Sequence, residues 1–324
     1  MKEKLLTMIA GLLFLIGAAI FFYPYAMDWY YDYHTDRVLA SYKEEMENLQ
    51  KEAAEESSDA LETDNQKAVS KISRRLDDLY EEMVQYNQEI YENRQQDLED
   101  PFFYESVSFD LTQYGLEDNL IGYLTIPAME LELPVYLGAT TKNLAKGAAH
   151  LGQTSMPVGG ENTNVVLAAH RGYRGIPMFR EIEKLKQGDI VTFTTPFDTL
   201  TYQVTGMEII LPEDINKIRI QTGKDMLTLF TCHPYRENSH RYVVYCERTF
   251  LAQQESDEEQ DHQQPSEESI EISSSGEAEI YIGEVSADAS SQSQILLDKY
   301  VPIVGIVFLA VVFILCFIGL KKKK

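Results

Sequence analysis

Cysteine is scarce in this chain, and proline is missing from a long stretch of it. Three cysteines are too few for the disulfide framework that staples small exported domains. One of them, Cys316, sits inside an apolar run, which leaves Cys232 and Cys246 as the two whose chemistry matters. No proline falls between Pro24 and Pro101, so nothing there forbids long helices. Basic residues are also short: 28 Lys and Arg stand against 52 Asp and Glu, a net charge of −24. Binding nucleic acid requires Lys and Arg to neutralise phosphates, so a nucleic-acid partner is excluded. The chain has no Gly-rich phosphate loop and no Gly-x-Ser-x-Gly elbow. Its scattered His and Cys lack zinc-site spacing, so neither a metal nor a cofactor is expected.

What is present divides the chain into unlike parts. Residues 1–4 are a short charged start, and residues 5–23 are almost uninterrupted apolar sequence. About 20 such residues suffice for a helix to cross the hydrocarbon layer. Lys2 and Lys4 precede the run while Asp28, Asp32 and Asp36 follow it, which places the N-terminus on the cytoplasmic side. The run is long for a cleaved signal peptide, and its Phe-Phe-Tyr-Pro-Tyr ending lacks a small-x-small cleavage pattern. A second apolar run, residues 300–320, ends in the lysine tail 321–324, again cytoplasmic by the same rule. The expected topology is a two-pass hairpin in the cell membrane with everything between the runs displayed outside.

Between the runs, residues 24–98 read as helical. Leu39, Tyr42, Met46 and Leu49 recur at helical spacing, as do Leu76, Leu79, Met83, Tyr86 and Ile90. The polar stretch 55–66 interrupts the stripe, so two amphipathic helices joined by a loop are expected; periodicity alone also permits one long stalk helix. Residues 99–120 form a connecting segment. From residue 121 to 250 the texture changes to short runs rich in Val, Ile, Thr, Tyr and Phe, at 123–126, 133–136, 163–168, 190–194, 199–210, 226–231 and 242–247. Several short strands at such spacing predict a mainly β barrel or sandwich, with helical turns at 141–146 and 179–185. Residues 251–299 hold little apolar surface. Residues 251–297 carry 12 Asp and Glu with no Lys or Arg, a composition expected of a disordered linker.

Chemistry concentrates at the ends of the β runs. Thr228-Leu-Phe-Thr-Cys232 is a strand-like run ending on a thiol. A Pro-containing loop follows, then a second run from His240-Arg241, so a hairpin brings Arg241 near Cys232. His170 ends another buried run and leads into Arg171-Gly172. A thiol becomes a nucleophile when a neighbouring cation favours its thiolate, an imidazole can protonate a leaving group, and a guanidinium suits a developing oxyanion. A strand cysteine by itself is more often inert. Strand geometry argues against a Cys232–Cys246 disulfide: five residues along a sheet is about 16 Å, beyond the roughly 7 Å reach between Cα atoms. His233 and His240 neighbour Cys232 and Arg241 in sequence, so they point to the opposite face. His150 reads as a loop-positioning residue.

These pieces resemble the sortase family. Thr228-Leu-Phe-Thr-Cys232 with His240-Arg241 looks like its TLxTC and downstream Arg signature. Gly122-Tyr-Leu-Thr-Ile-Pro127, Leu133-Pro-Val-Tyr-Leu-Gly138, Gly147 to His150, and Ala169-His170-Arg-Gly172 match further pieces in the family's order. The resemblance implies an eight-stranded sortase-type β-barrel and a Cys232/His170/Arg241 site. It also implies attack on the Thr–Gly carbonyl of an LPxTG-like sorting signal, then transfer of the acyl group to an amine. Thr231 matches a position whose hydroxyl or backbone helps hold the oxyanion. Asp100-Pro101-Phe102 resembles the lid of class C, pilus-assembling sortases, for which the partners would be pilins and the acceptor amine a pilin lysine. Two other readings stand beside it: attachment of surface proteins to the peptidoglycan cross-bridge, and an inactive membrane-displayed scaffold. The segment His233-Pro-Tyr-Arg-Glu-Asn238 is more polar than the family's usual version.

Overall fold

The computed structural model describes residues 2–55, 64–96, 98–102, 110–114, 116–173, 176–250, 292–297, 300–301 and 304–305. Helix α1 spans Lys2–Glu55 and α2 spans Asp64–Glu92. After them come β1 (Leu120–Ile126), β2 (Leu131–Leu137), the one-turn α3 (Thr141–Leu144), β3 (Ala148–His150), β4 (Thr163–Ala168), β5 (Ile190–Thr194), β6 (Thr199–Ile210), β7 (Asp225–His233) and β8 (His240–Arg248). The strands close into a barrel in the order β1-β2-β3-β4-β7-β8-β6-β5. Closure removes the free sheet edges on which another chain could pair.

The expected mainly β barrel is therefore present, with the eight strands that the family resemblance implied and seven of them legible as sequence runs. β3 was missed because it is three residues of Ala-Ala-His, too short to show alternation. Helical turns occur at both expected places, as α3 and as a short 3-10 turn over Ile182–Lys184. α3 begins on Thr140, whose side chain accepts a bond from the Asn143 N–H, a standard N-cap.

Side chains alternate between two apolar layers. Val165, Leu167, Ala169, Leu227, Leu229, Tyr242 and Val244 fill the barrel interior, while Val166, Ala168, Phe230 and Val243 face an outer cluster with Ala139, Leu144 and Leu151. β4 and β7 pair in parallel and are covered on both faces. That explains why β4 reads as a near-continuous apolar run and not as strict alternation.

The helical region is two helices, and they flank the barrel instead of forming a free stalk. Leu39 and Tyr42 of α1, and Leu79, Met83 and Ile90 of α2, are buried, with Met46, Leu76 and Tyr86 packed at the margin of the core. The Tyr42 hydroxyl donates to the Ile121 carbonyl at 3.1 Å. Asn87 brackets the Met156 backbone, donating to its carbonyl at 3.1 Å and accepting from its N–H at 2.6 Å. Each fully buried Leu or Met contributes about 1.5–3 kcal/mol of apolar transfer.

The expectation for the membrane runs changes. Residues 5–23 are not a helix of their own: they begin α1, which continues through Pro24 to Glu55. Among the described residues no helix is long and apolar enough to cross a membrane, so the two flanking transmembrane helices of the expected fold are not supported here. Residues 251–291 of the linker and 306–324 of the C-terminal run and tail lie outside the described residues.

Candidate active site

Cys232 and Arg241 are direct cross-strand partners on the β7–β8 hairpin, as the hairpin reading required. β4 lies on the other side of β7, in parallel register up to Ala168↔Phe230. His170 follows β4 by two residues, so it rises at the same end of the barrel. Alternation continued past the strand ends puts His170, Cys232 and Arg241 on the outer face with Phe230 and Val243. Gly172 then turns the chain back at φ +89°. That left-handed conformation disfavours a residue with a side chain, and the nearest neighbour a Cβ would meet is the flexible Arg180 side chain, at 2.8 Å from Nε.

Asp100, Pro101 and Phe102 lie over this face. Arg241 is 1% exposed and Asp100 is buried beside it. The Arg241 Nε donates to Asp100 Oδ2 at 2.7 Å, and its Nη1 donates to the carbonyls of Asn238 and His240, both at 2.9 Å. Asp100 Oδ1 accepts from the Phe102 N–H at 2.8 Å, which fixes the turn between them. The Phe102 ring stacks on Phe230 at 6.1 Å, tilts against His170 at 5.7 Å and lies 5.3 Å from the Arg241 guanidinium carbon. Tyr173 stacks on His170 at 4.9 Å. The imidazole thus has an aromatic ring from each of two segments against it.

Burial sets the resting charge states. Cys232 is 8% exposed. Its thiol is pushed up to about 11, first by burial; Arg241 pulls it down, Asp100 raises it, and Arg171 lowers it. Burial lowers the pKa of His170. With the Asp100 segment in place both groups are neutral near pH 7. Cys246 faces the barrel interior, and burial alone lifts its thiol well above the ordinary range. Cys232 and Cys246 are both free thiols; Cys246 pairs in register with Leu227, five residues from Cys232 along β7.

The other sequence-derived candidates fall as follows. The Thr231 hydroxyl is fully buried and donates to the Ala169 carbonyl at 2.7 Å. It faces the barrel interior with Leu229, so of the hydroxyl and backbone that the resemblance offers for the oxyanion, the hydroxyl is turned away from the Cys232 side. His150 is buried, bonds the Ser155 carbonyl through Nε2 at 3.0 Å and has its pKa lowered to about 4 by burial. That fits a loop-positioning residue. Residues to which the sequence reading gave no role are Tyr173 and the buried Arg171, Glu183 and His233. Alternation already turned His233 to the face opposite Cys232, and the same step past His170 would have set Arg171 beside it. Glu183 sits in the 3-10 turn, and no sequence signal ties it to the site.

A closed barrel bearing a covered thiol, an imidazole and a guanidinium at one end defines a cysteine-centred site. The Sortase domain family matches residues 124–249. The chain is 36% identical over 126 residues to Sortase A of Bacillus anthracis, covering 39% of this chain and 58% of that protein. It is 31% identical over 130 residues to Sortase D of Bacillus subtilis, covering 39% and 63%. These matches span about three fifths of the curated relatives. Among solved structures, it is similar to sortase C1 of group B Streptococcus (GBS) pilus island 1, with TM-score 0.51 and 32% identity, covering 58% of this chain and 88% of that one. It is also similar to Streptococcus pneumoniae sortase C, with TM-score 0.52 and 30% identity, covering 66% and 96%. The chain belongs to the sortase family.

Proposed function

We propose that this protein is a membrane-anchored sortase of the pilus-assembling kind. The observation that carries the reading is the cover: Asp100 pairs with Arg241 while Phe102 packs on His170, so one short segment occupies both groups that flank the reacting thiol. Similarity to structures named for a pilus island and for sortase C supports the same assignment.

In the reaction, the cover leaves and water and substrate reach the thiol. Cys232 gives its proton to His170 as Sγ attacks the Thr–Gly carbonyl of an LPxTG-like signal, and Arg241, released from Asp100, holds the oxyanion. Collapse breaks the C–N bond as His170 gives its proton to the leaving amine, leaving a Cys232 thioester. An amine, by this reading a pilin lysine, attacks the thioester carbonyl. The amine's proton passes through His170 to the leaving sulfur, so a new amide forms and the Cys232 thiol is regenerated. Thr231 contributes by tying β7 to the end of β4.

The anchor is part of the proposal. Leu12, Leu15, Ile16 and Phe22 of α1 are exposed, followed by exposed Trp29, Tyr30 and Tyr33. An apolar stretch bordered by aromatic residues suits lipid contact and a membrane interface. The catalytic barrel would be extracellular and both termini cytoplasmic. Protease added outside intact cells should then cut the 251–299 linker; full protection would contradict this topology.

The direct test is to incubate the full-length protein with an LPxTG-type peptide and look for an acyl adduct. A thioester on Cys232, absent in Cys232→Ala, is expected. Turnover retained by Cys232→Ala would remove the assignment. Transfer to a peptidoglycan cross-bridge amine in preference to a lysine would move it to the wall-attaching kind.

A further inference from the structure

The last backbone link between β4 and β7 lies just short of the site, where the Ala169 N–H donates to the Phe230 carbonyl at 3.1 Å. The Thr231 hydroxyl adds a link to the Ala169 carbonyl at 2.7 Å. Beyond these, His170 and Cys232 stand on strand ends that no shared backbone bond joins among the described residues. One residue further on, the side chains meet again. Arg171 Nη1 donates to His233 Nδ1 at 2.7 Å, and Arg171 Nη2 bonds Glu183 Oε1. Glu183 Oε1 lies 3.6 Å from His233 Nδ1. Arg171 and His233 are 4% and 5% exposed, and the Glu183 side chain is equally buried.

These groups are on the inner face. By alternation Arg171 follows Val165, Leu167 and Ala169 into the barrel mouth, and His233 follows Leu227 and Leu229. Tyr242 floors the cluster, with its ring 6.0 Å from the Arg171 guanidinium carbon and 5.7 Å from the His233 ring. A guanidinium only donates, so Nδ1 of His233 is the acceptor and the ring proton sits on Nε2. Glu183 is held over the mouth because the Phe179 N–H donates to the His170 carbonyl at 3.1 Å, which folds the following turn back.

We propose that Arg171, Glu183 and His233 are positioning residues that fix His170 and Cys232 relative to each other from inside the barrel, independently of the cover outside. Two of the three adjoin the acid and the nucleophile in sequence, and the third clamps them. Buried, fork-shaped guanidinium bonds are well suited to this, since they set angle as well as distance. Misplacement by about 1 Å can cost on the order of 10²-fold in rate. The Arg171 charge also acts on the Cys232 thiol from the side opposite Asp100.

The inference rests on the sortase reading for its kinetic effect, so the test carries a second readout. In full-length protein bearing Asp100→Ala and Phe102→Ala, His233→Leu removes the acceptor, and His233→Asn restores one near Nδ1. His233→Leu should lower kcat with a sorting-signal peptide by roughly ten- to a hundredfold at a KM within about twofold. His233→Asn should recover most of it. The NMR signal of the His170 imidazole Cε1–H should shift in His233→Leu and return in His233→Asn, although His170 and His233 face opposite sides. An unmoved His170 signal, or a loss shared equally by both variants and matched by a fall in Tm, would overturn the proposal. A parent that forms no thioester would remove the sortase reading, while the His170 signal would still report on the cluster.

Discussion

Two thiols sit on one β-hairpin, five residues apart along the sheet, and chemistry separates them completely. Cys246 lies in the barrel interior among apolar side chains, and only burial acts on it. Cys232 ends β7 on the opposite face, where burial is countered by Arg241 and Arg171 and reinforced by Asp100. Both are buried and both are high. Only one has cations to release it once a segment moves. Burial therefore makes a thiol quiet, and what surrounds it decides whether that quiet is permanent.

The largest expected contrast is catalytic. Cys232→Ala should reduce transpeptidation by at least about 10⁴-fold, as removal of a nucleophile does, while Cys246→Ala should stay within a few-fold. Equal losses measured by peptide turnover would erase the distinction between the two thiols. Arg241→Gln should lower kcat by about 10²–10³-fold if it holds the oxyanion; it also strips Asp100 of its cation and removes a charge that favours the Cys232 thiolate. A rate near wild type would assign Arg241 to the cover alone. The smallest contrasts are in stability. Leu79→Ala, in the helix that backs the barrel, should cost about 2–5 kcal/mol by denaturant unfolding. Cys246→Ala should cost about 1 kcal/mol, the centre of the range for single substitutions. A large activity loss from either, at unchanged stability, would show that these apolar positions are coupled to chemistry, which the two-thiol contrast denies.

Much of this was legible in the sequence, for identifiable reasons. Runs such as Val165-Val-Leu-Ala and Thr228-Leu-Phe-Thr carry their strand state in β-branched and apolar residues, and the helical stripes of Leu39 and Leu79 declared their buried faces. The pairing of Cys232 with Arg241 followed from counting around one hairpin. The Ala148–His150 strand was illegible because three small or polar residues carry no period. Glu183 was illegible because its place depends on how the chain folds back after Gly172, a tertiary matter. For Thr231 the resemblance offered hydroxyl or backbone for the oxyanion, and the direction of the hydroxyl, inward to Ala169, is set by strand alternation. Residues 5–23, read as a membrane span, begin α1, which runs through Pro24 without a break.

The central claim is that the Asp100–Phe102 segment holds Cys232 unreactive at rest. The direct measurement is the rate of Cys232 alkylation against pH, in the resting chain and in the Asp100→Ala, Phe102→Ala variant. At rest the profile should rise with a midpoint near pH 11. Removing the segment takes away both the Asp100 charge and part of the burial, and each of those raises the thiol, so the midpoint must fall. A fall of one unit increases the thiolate fraction, and with it the rate at pH 8, about tenfold. Superimposable profiles in the two proteins would contradict the account.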